Sequence, residues 1–185
     1  MDQASRHQTA PGRRVLRVVL PGLCAALAHV VGLLSVVNLE AKTTTVFLAG
    51  HVVGRLPGAI TGILTTILHQ FLNPYGPADP FFCAAQATAW ALTGFVGASV
   101  ALGSSGRTRL AAIGLGLTLV YHLLTDWAES VALQVPFLVF FANGFAPPFF
   151  TPLHLAWNAL LFALATPRLE STLVQLKREL GAWDR

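Results

Sequence analysis

The sequence predicts an all-α membrane protein, a bundle of six transmembrane helices with both N- and C-termini cytoplasmic. Three observations predict it. Charged residues make up 11% of the 185 residues, against about 25% in soluble domains. Residues 18–39, 56–78, 80–106, 110–125 and 130–167 contain no Lys, Arg, Asp or Glu, and each run approaches or exceeds the ~20 residues of a helical bilayer crossing. The basic residues gather on one side of alternate spans, as orientation in a membrane requires. This composition excludes a soluble enzyme, a disordered chain and a disulfide scaffold. Cys24 and Cys83 lie in apolar runs and read as small buried hydrophobes.

Residues 1–14 form a polar, basic cytoplasmic tail, and residues 15–167 form the membrane domain. The first span covers 15–37. It is too long for a signal-peptide core and more crossings follow, so it is a retained helix. Residues 43–72 would make one helix about 45 Å long, against ~30 Å of hydrocarbon. Arg55 would then lie near its middle, so two shorter spans, 43–54 and 58–72, are expected. Asn73-Pro74-Tyr75-Gly76-Pro77 forces a turn. Spans follow at 81–102 and 110–133. Pro136, Asn143-Gly144 and Pro147-Pro148 mark an irregular, partly embedded connection. The last span is 152–166. Pro167 is expected to stop it, and 168–185 is a cytoplasmic amphipathic tail. With six spans, every Lys and Arg except Lys42 falls inside. With five, Arg107, Arg109 and the basic tail would face outside.

This orientation assigns a depth to each polar side chain. His69 and Gln70 end the third span. Gln86 and Trp90 start the fourth, four residues apart and therefore on one face. His122 and Asp126 repeat that spacing near the end of the fifth, with Trp127 and Glu129 beyond. His154 and Asn158 repeat it at the start of the sixth, with Trp157 between them. One such residue would simply reach interfacial water. Four helices converging at the outer end point instead to an internal cavity, because ionisable groups in a membrane face one. Gln86, Trp90, His122, Asp126, His154 and Asn158 are expected to line it, under a lid formed by the 73–80 and 130–150 connections. His122, Asp126, Glu129 and His154 have the chemistry of transition-metal ligands, but their spacing fixes no coordination geometry and no metal or other cofactor is implied.

No phosphate-binding G-x-x-x-x-G-K-[ST] loop, G-x-S-x-G or H-E-x-x-H pattern occurs. The chain is therefore expected to be neither an ATPase nor another enzyme. The basic residues flank helices and touch anionic lipid, not nucleic acid.

Several runs resemble the S components of energy-coupling factor (ECF) transporters. They are Gly58-Ala-Ile-Thr-Gly62, Asn73-Pro-Tyr-Gly-Pro77, Gln86-Ala-Thr-Ala-Trp90, Gly94-Phe-Val-Gly97, Leu124-Thr-Asp126, His154-Leu-Ala-Trp-Asn158 and Pro167-Arg-Leu-Glu. The resemblance covers about residues 15–180 and is nearest to members linked to corrinoids or their precursors. It implies a multi-pass cell-membrane subunit that captures a vitamin-like molecule outside and delivers it to a T component carrying two ATPases. Trp157, Asn73 and Tyr75 would complete the substrate-binding set. The docking face on the first helix would use small residues, here Gly22, Ala25, Ala28 and Gly32, with Ala26 completing a small-xxx-small pair. Two other readings stay open. One is an integral-membrane enzyme or binding protein for a lipid or isoprenoid, using His122, Asp126 and His154. The other is a scaffold with a filled interior.

Overall fold

A computed structural model describes residues 10–33, 39–72, 76–146 and 150–179 of the chain. These residues are all-helical. The helices are α1 (Ala10–Leu33), α2 (Lys42–Val53), α3 (Arg55–Leu72), α4 (Pro80–Ser99), α5 (Arg107–Ala132), α6 (Phe137–Phe145) and α7 (Thr151–Glu179), with a 3-10 turn at Leu102–Ser104 between α4 and α5. By length and composition, α4 and α5 are apolar enough to cross a membrane, and Val18–Leu33 within α1 is a shorter apolar stretch.

The expected break between 43 and 72 falls at Gly54, which takes φ 94° and ψ 175°. Side chains resist that conformation and glycine does not. One glycine in that positive-φ conformation suffices to end α2 and start α3. Arg55 is left exposed, its guanidinium 5.7 Å from the centre of the Phe95 ring.

Helix α2 is the centre of the molecule. All its residues except Thr45 are buried, and α1, α3, α4, α5 and α7 surround it. Glycine makes the closest of these contacts possible. A side chain at Gly50 or Gly58 would collide with the Gly94 carbonyl, one at Gly94 with the Gly58 carbonyl, and one at Gly62 with the Trp90 backbone. The Gly58/Gly62 pair thus brings α3 directly against α4. Further along α4, Gly97 admits the Phe47 backbone of α2. At this end the Phe47 ring packs at a 54° tilt against Phe162 of α7, with ring centres 4.8 Å apart. Leu48, Val100, Leu102, Leu110 and Leu117 close the apolar core around them.

Four details differ from the sequence reading or add to it. Helix α1 begins at Ala10, inside the expected tail, with Pro11 in its first turn, where a missing N–H costs nothing. The 130–150 connection contains α6. Pro136 precedes this helix, and the rings of Phe137, Phe141 and Phe145 pack at a tilt along one side, with centres 5.5 and 4.9 Å apart. Pro167 does not stop α7, which continues to Glu179. Beyond the proline Leu173 packs against the apolar core, which offsets the lost backbone bond. Finally, three of the small residues of α1 face inward: Ala25 and Ala28 have no exposed surface, and a side chain at Gly32 would strike the Lys42 stem. These three pack against the protein's own bundle, whereas a side chain at Gly22 would meet no atom within 4 Å and Ala26 is exposed, as are Val18, Leu23, Leu27 and Val30.

Candidate functional site

Alternating helix directions bring the starts of α2, α4 and α7 together with the ends of α3 and α5. A cavity of about 280 Å³ opens there. Gln86, Trp90, His122, Asp126 and His154 line it, as expected from their depth and phase. Glu40, Lys42, Thr43, His69, Tyr121 and Phe82 line it as well.

Glu40 organises one wall. It precedes α2, where the first backbone N–H groups have no partner within the helix. Its carboxylate accepts from the Lys42 N–H, from the Thr43 N–H at 3.2 Å and from the Thr43 hydroxyl at 2.7 Å. Negative charge at this position also complements the helix dipole. Helix α7 grips the same residue from the other side. His154 Nε2 lies 3.1 Å from Glu40 Oε1, Asn158 Nδ2 donates to it at 3.5 Å, and Trp157 Nε1 donates to the Glu40 carbonyl at 3.0 Å. Burial pushes the Glu40 carboxyl up, but the His154 and Thr43 contacts and the nearby Lys42 charge outweigh it. They hold the group below the ordinary glutamate value.

Beyond His154 the contacts form a chain. His122 Nε2 is 3.0 Å from His154 Nδ1, and His122 Nδ1 is 3.9 Å from Asp126 Oδ1. An ionised Glu40 accepts only, so the His154 proton sits on Nε2. The 3.9 Å between His122 Nδ1 and Asp126 Oδ1 is too long for a direct hydrogen bond. Asp126 Oδ2 is buried without a partner among the described residues.

The opposite wall carries a different ladder. The Ala78 N–H donates to Gln70 Oε1 at 2.8 Å, which ties the 76–79 connection down. Gln70 Nε2 donates to Gln86 Oε1 at 2.9 Å, and Gln86 Nε2 donates to the Tyr121 hydroxyl at 3.0 Å. Tyr121 stacks on Trp90 with ring centres 5.8 Å apart. Lys42 Nζ stands 5.0 Å from the Trp90 ring centre and 3.4 Å from His69 Nδ1.

Some expected roles change. Asn158 and Trp157 do not line the cavity; both hold Glu40. Gln86 lines it, but its amide is engaged in bridging α3 to α5. Asn73 and Tyr75 lie outside the described residues. Glu129 is not on the cavity wall, and among the described residues no three His, Cys, Asp or Glu side chains are grouped to hold a metal ion. Sequence reasoning missed Glu40 as a site residue and assigned Lys42 only to the outer side of the membrane. The usable signal was a carboxylate just ahead of an uncapped, threonine-rich helix start. Tyr121 carried no signal of its own in an apolar run.

No family model, curated protein or solved structure matches the chain.

Proposed function

We propose that the chain is a multi-pass cell-membrane receptor for a small polar molecule, and that it serves as the S component of an ECF-type importer. The polar cavity at one end of the bundle carries this reading. Its walls hold two carboxylates, a lysine and three histidines, groups that are costly in an apolar setting unless a ligand or water uses them. A filled interior, as a scaffold would have, lacks such a space. In the six-span reading the cavity opens outward and both termini are cytoplasmic, supported by the eleven Lys and Arg on that side against Lys42 alone. The volume of about 280 Å³ lies at the lower edge of the ~300–1,000 Å³ of ligand pockets. It favours a compact vitamin-like molecule over a corrinoid macrocycle. The chain carries no nucleotide-binding loop, so energy would come from a T component with two ATPases.

Affinity purification from native membranes tests this. A T-type membrane subunit and two ATPases should co-purify, and substrate uptake should require all of them. Recovery of the chain without ATPases, together with uptake-independent conversion of a lipid, would favour the enzyme reading instead.

A further inference from the structure

We propose that the cavity takes a small amphoteric compound, with an anionic group set against Lys42 and a hydrogen-bond donor set against Asp126. This deepens the capture reading above and rests on it.

Lys42 is 8% exposed. Its stem lies against Gly32, and its ammonium reaches His69 and the face of Trp90. Among the described residues no carboxylate comes within ion-pairing distance of Nζ. The nearest acid in sequence, Glu40, is occupied by the α2 backbone, Thr43 and His154. An ammonium has three donors, and His69 accounts for one. A buried charge without a counter-charge is costly. The neighbouring Trp90 Nε1 is also buried with no acceptor among the described residues. Lys42 and Trp90 are therefore adjacent donors in need of an acceptor, which a carboxylate or phosphate oxygen supplies.

Asp126 has the opposite need. Its Oδ2 is buried with no donor among the described residues, and its Oδ1 lies 3.9 Å from His122 Nδ1, beyond hydrogen-bond reach. An amino or hydroxyl group placed beside this carboxylate would donate to it. Two unmet donors and an unmet carboxylate line one small cavity, with the Phe82 ring as an apolar wall. Their complement is a molecule carrying an anion and a donor on a compact apolar body.

The test uses purified full-length protein in lipid nanodiscs. Compounds retained on purification are identified by mass spectrometry. Calorimetry then compares 4-aminobenzoate with 4-aminobenzamide, which lacks the charge, and with benzoate, which lacks the donor. 4-Aminophenyl phosphate distinguishes a phosphate from a carboxylate. We expect 4-aminobenzoate or its phosphate counterpart to bind at least about tenfold more tightly than the amide. Lys42→Met should abolish that preference and Lys42→Arg retain it. Asp126→Asn should abolish the preference for the amino compound over benzoate. Melting temperatures establish that each variant is folded.

Equal binding of acid and amide, an undiminished preference in folded Lys42→Met, or no binding of either anion at millimolar concentration overturns the assignment. A retained neutral compound also overturns it, but leaves small-molecule capture standing. Wild-type protein that retains nothing and binds no probe overturns both.

Discussion

Glu40 and His154 lie 3.1 Å apart although 114 residues separate them in sequence. This contact joins the start of α2 to the start of α7 and closes one wall of the cavity. The same carboxylate terminates the backbone of α2, so the wall and the central helix share a single anchor.

Replacing Glu40 should therefore destabilise the whole protein. Glu40→Ala removes the acceptor for two backbone N–H groups, Thr43 and His154. Hydrogen bonds to charged groups are worth about 1.5–3 kcal/mol each, so a loss of at least about 2–3 kcal/mol is expected, read as a lower melting temperature in detergent. The pH dependence has a definite sign. The folded carboxyl titrates below the unfolded value of about 4.3. Its stabilisation is complete above that value and is lost as pH falls through the lower, folded one. The stability gap between wild type and Glu40→Gln should narrow on acidification through this window. A gap independent of pH there would exclude an ionised Glu40 as the anchor.

The glycine contacts of α3 and α4 make a sharp comparison. Gly94→Ala drives a methyl group into the Gly58 carbonyl, whereas a side chain at Gly116 meets no atom within 4 Å. Gly94→Ala should abolish monodisperse protein. Gly116→Ala should fold normally and gain up to about 1 kcal/mol from helix propensity. Equal behaviour of the two variants would show that α3 and α4 do not pack this way.

Gln86 and Tyr121 should behave as one unit. Tyr121→Phe leaves a buried amide without its acceptor, at a cost of about 1–3 kcal/mol. In Gln86→Leu the same bond is already gone, so adding Tyr121→Phe should cost measurably less than it does alone. Full additivity in this double-mutant cycle would mean that the 3.0 Å contact carries no energy.

Orientation can be read by labelling. In a background lacking Cys24 and Cys83, Pro77→Cys should react with an impermeant maleimide from outside intact cells, and Ser104→Cys should not. Reaction at position 104 from outside would end the six-span orientation.

The sequence was most legible where helical phase and depth coincided. Gln86/Trp90 and His122/Asp126 repeat at four residues near corresponding helix ends, and His154 sits at the same level. These five residues meet at the cavity. The glycine runs at 58–62 and 94–97 were visible too, though not which helices they would join. Phase says nothing about residues outside a helix, which hid Glu40, and Lys42 lies one residue ahead of the expected span 43–54. It also cannot separate a side chain that lines a cavity from one that supports a neighbour, and Trp157 and Asn158, expected at the cavity wall, hold Glu40. The continuation of α7 past Pro167 depends on Leu173 reaching the core, a tertiary contact that local propensity does not contain.

The single-residue break at Gly54 bears on how this chain can vary. Each residue of a helix turns it by about 100°, and α2 and α3 are both locked against α4 through glycines. Adding or deleting one residue between Gly50 and Gly58 would turn one helix relative to the other and replace glycine with bulkier side chains at the crossing. This segment should therefore tolerate almost no change of length. Among the described residues no such glycine register spans the connections after α3 and α5, so changes of length should be tolerated better there. Length variation among natural versions of the chain should concentrate there and spare residues 50–58.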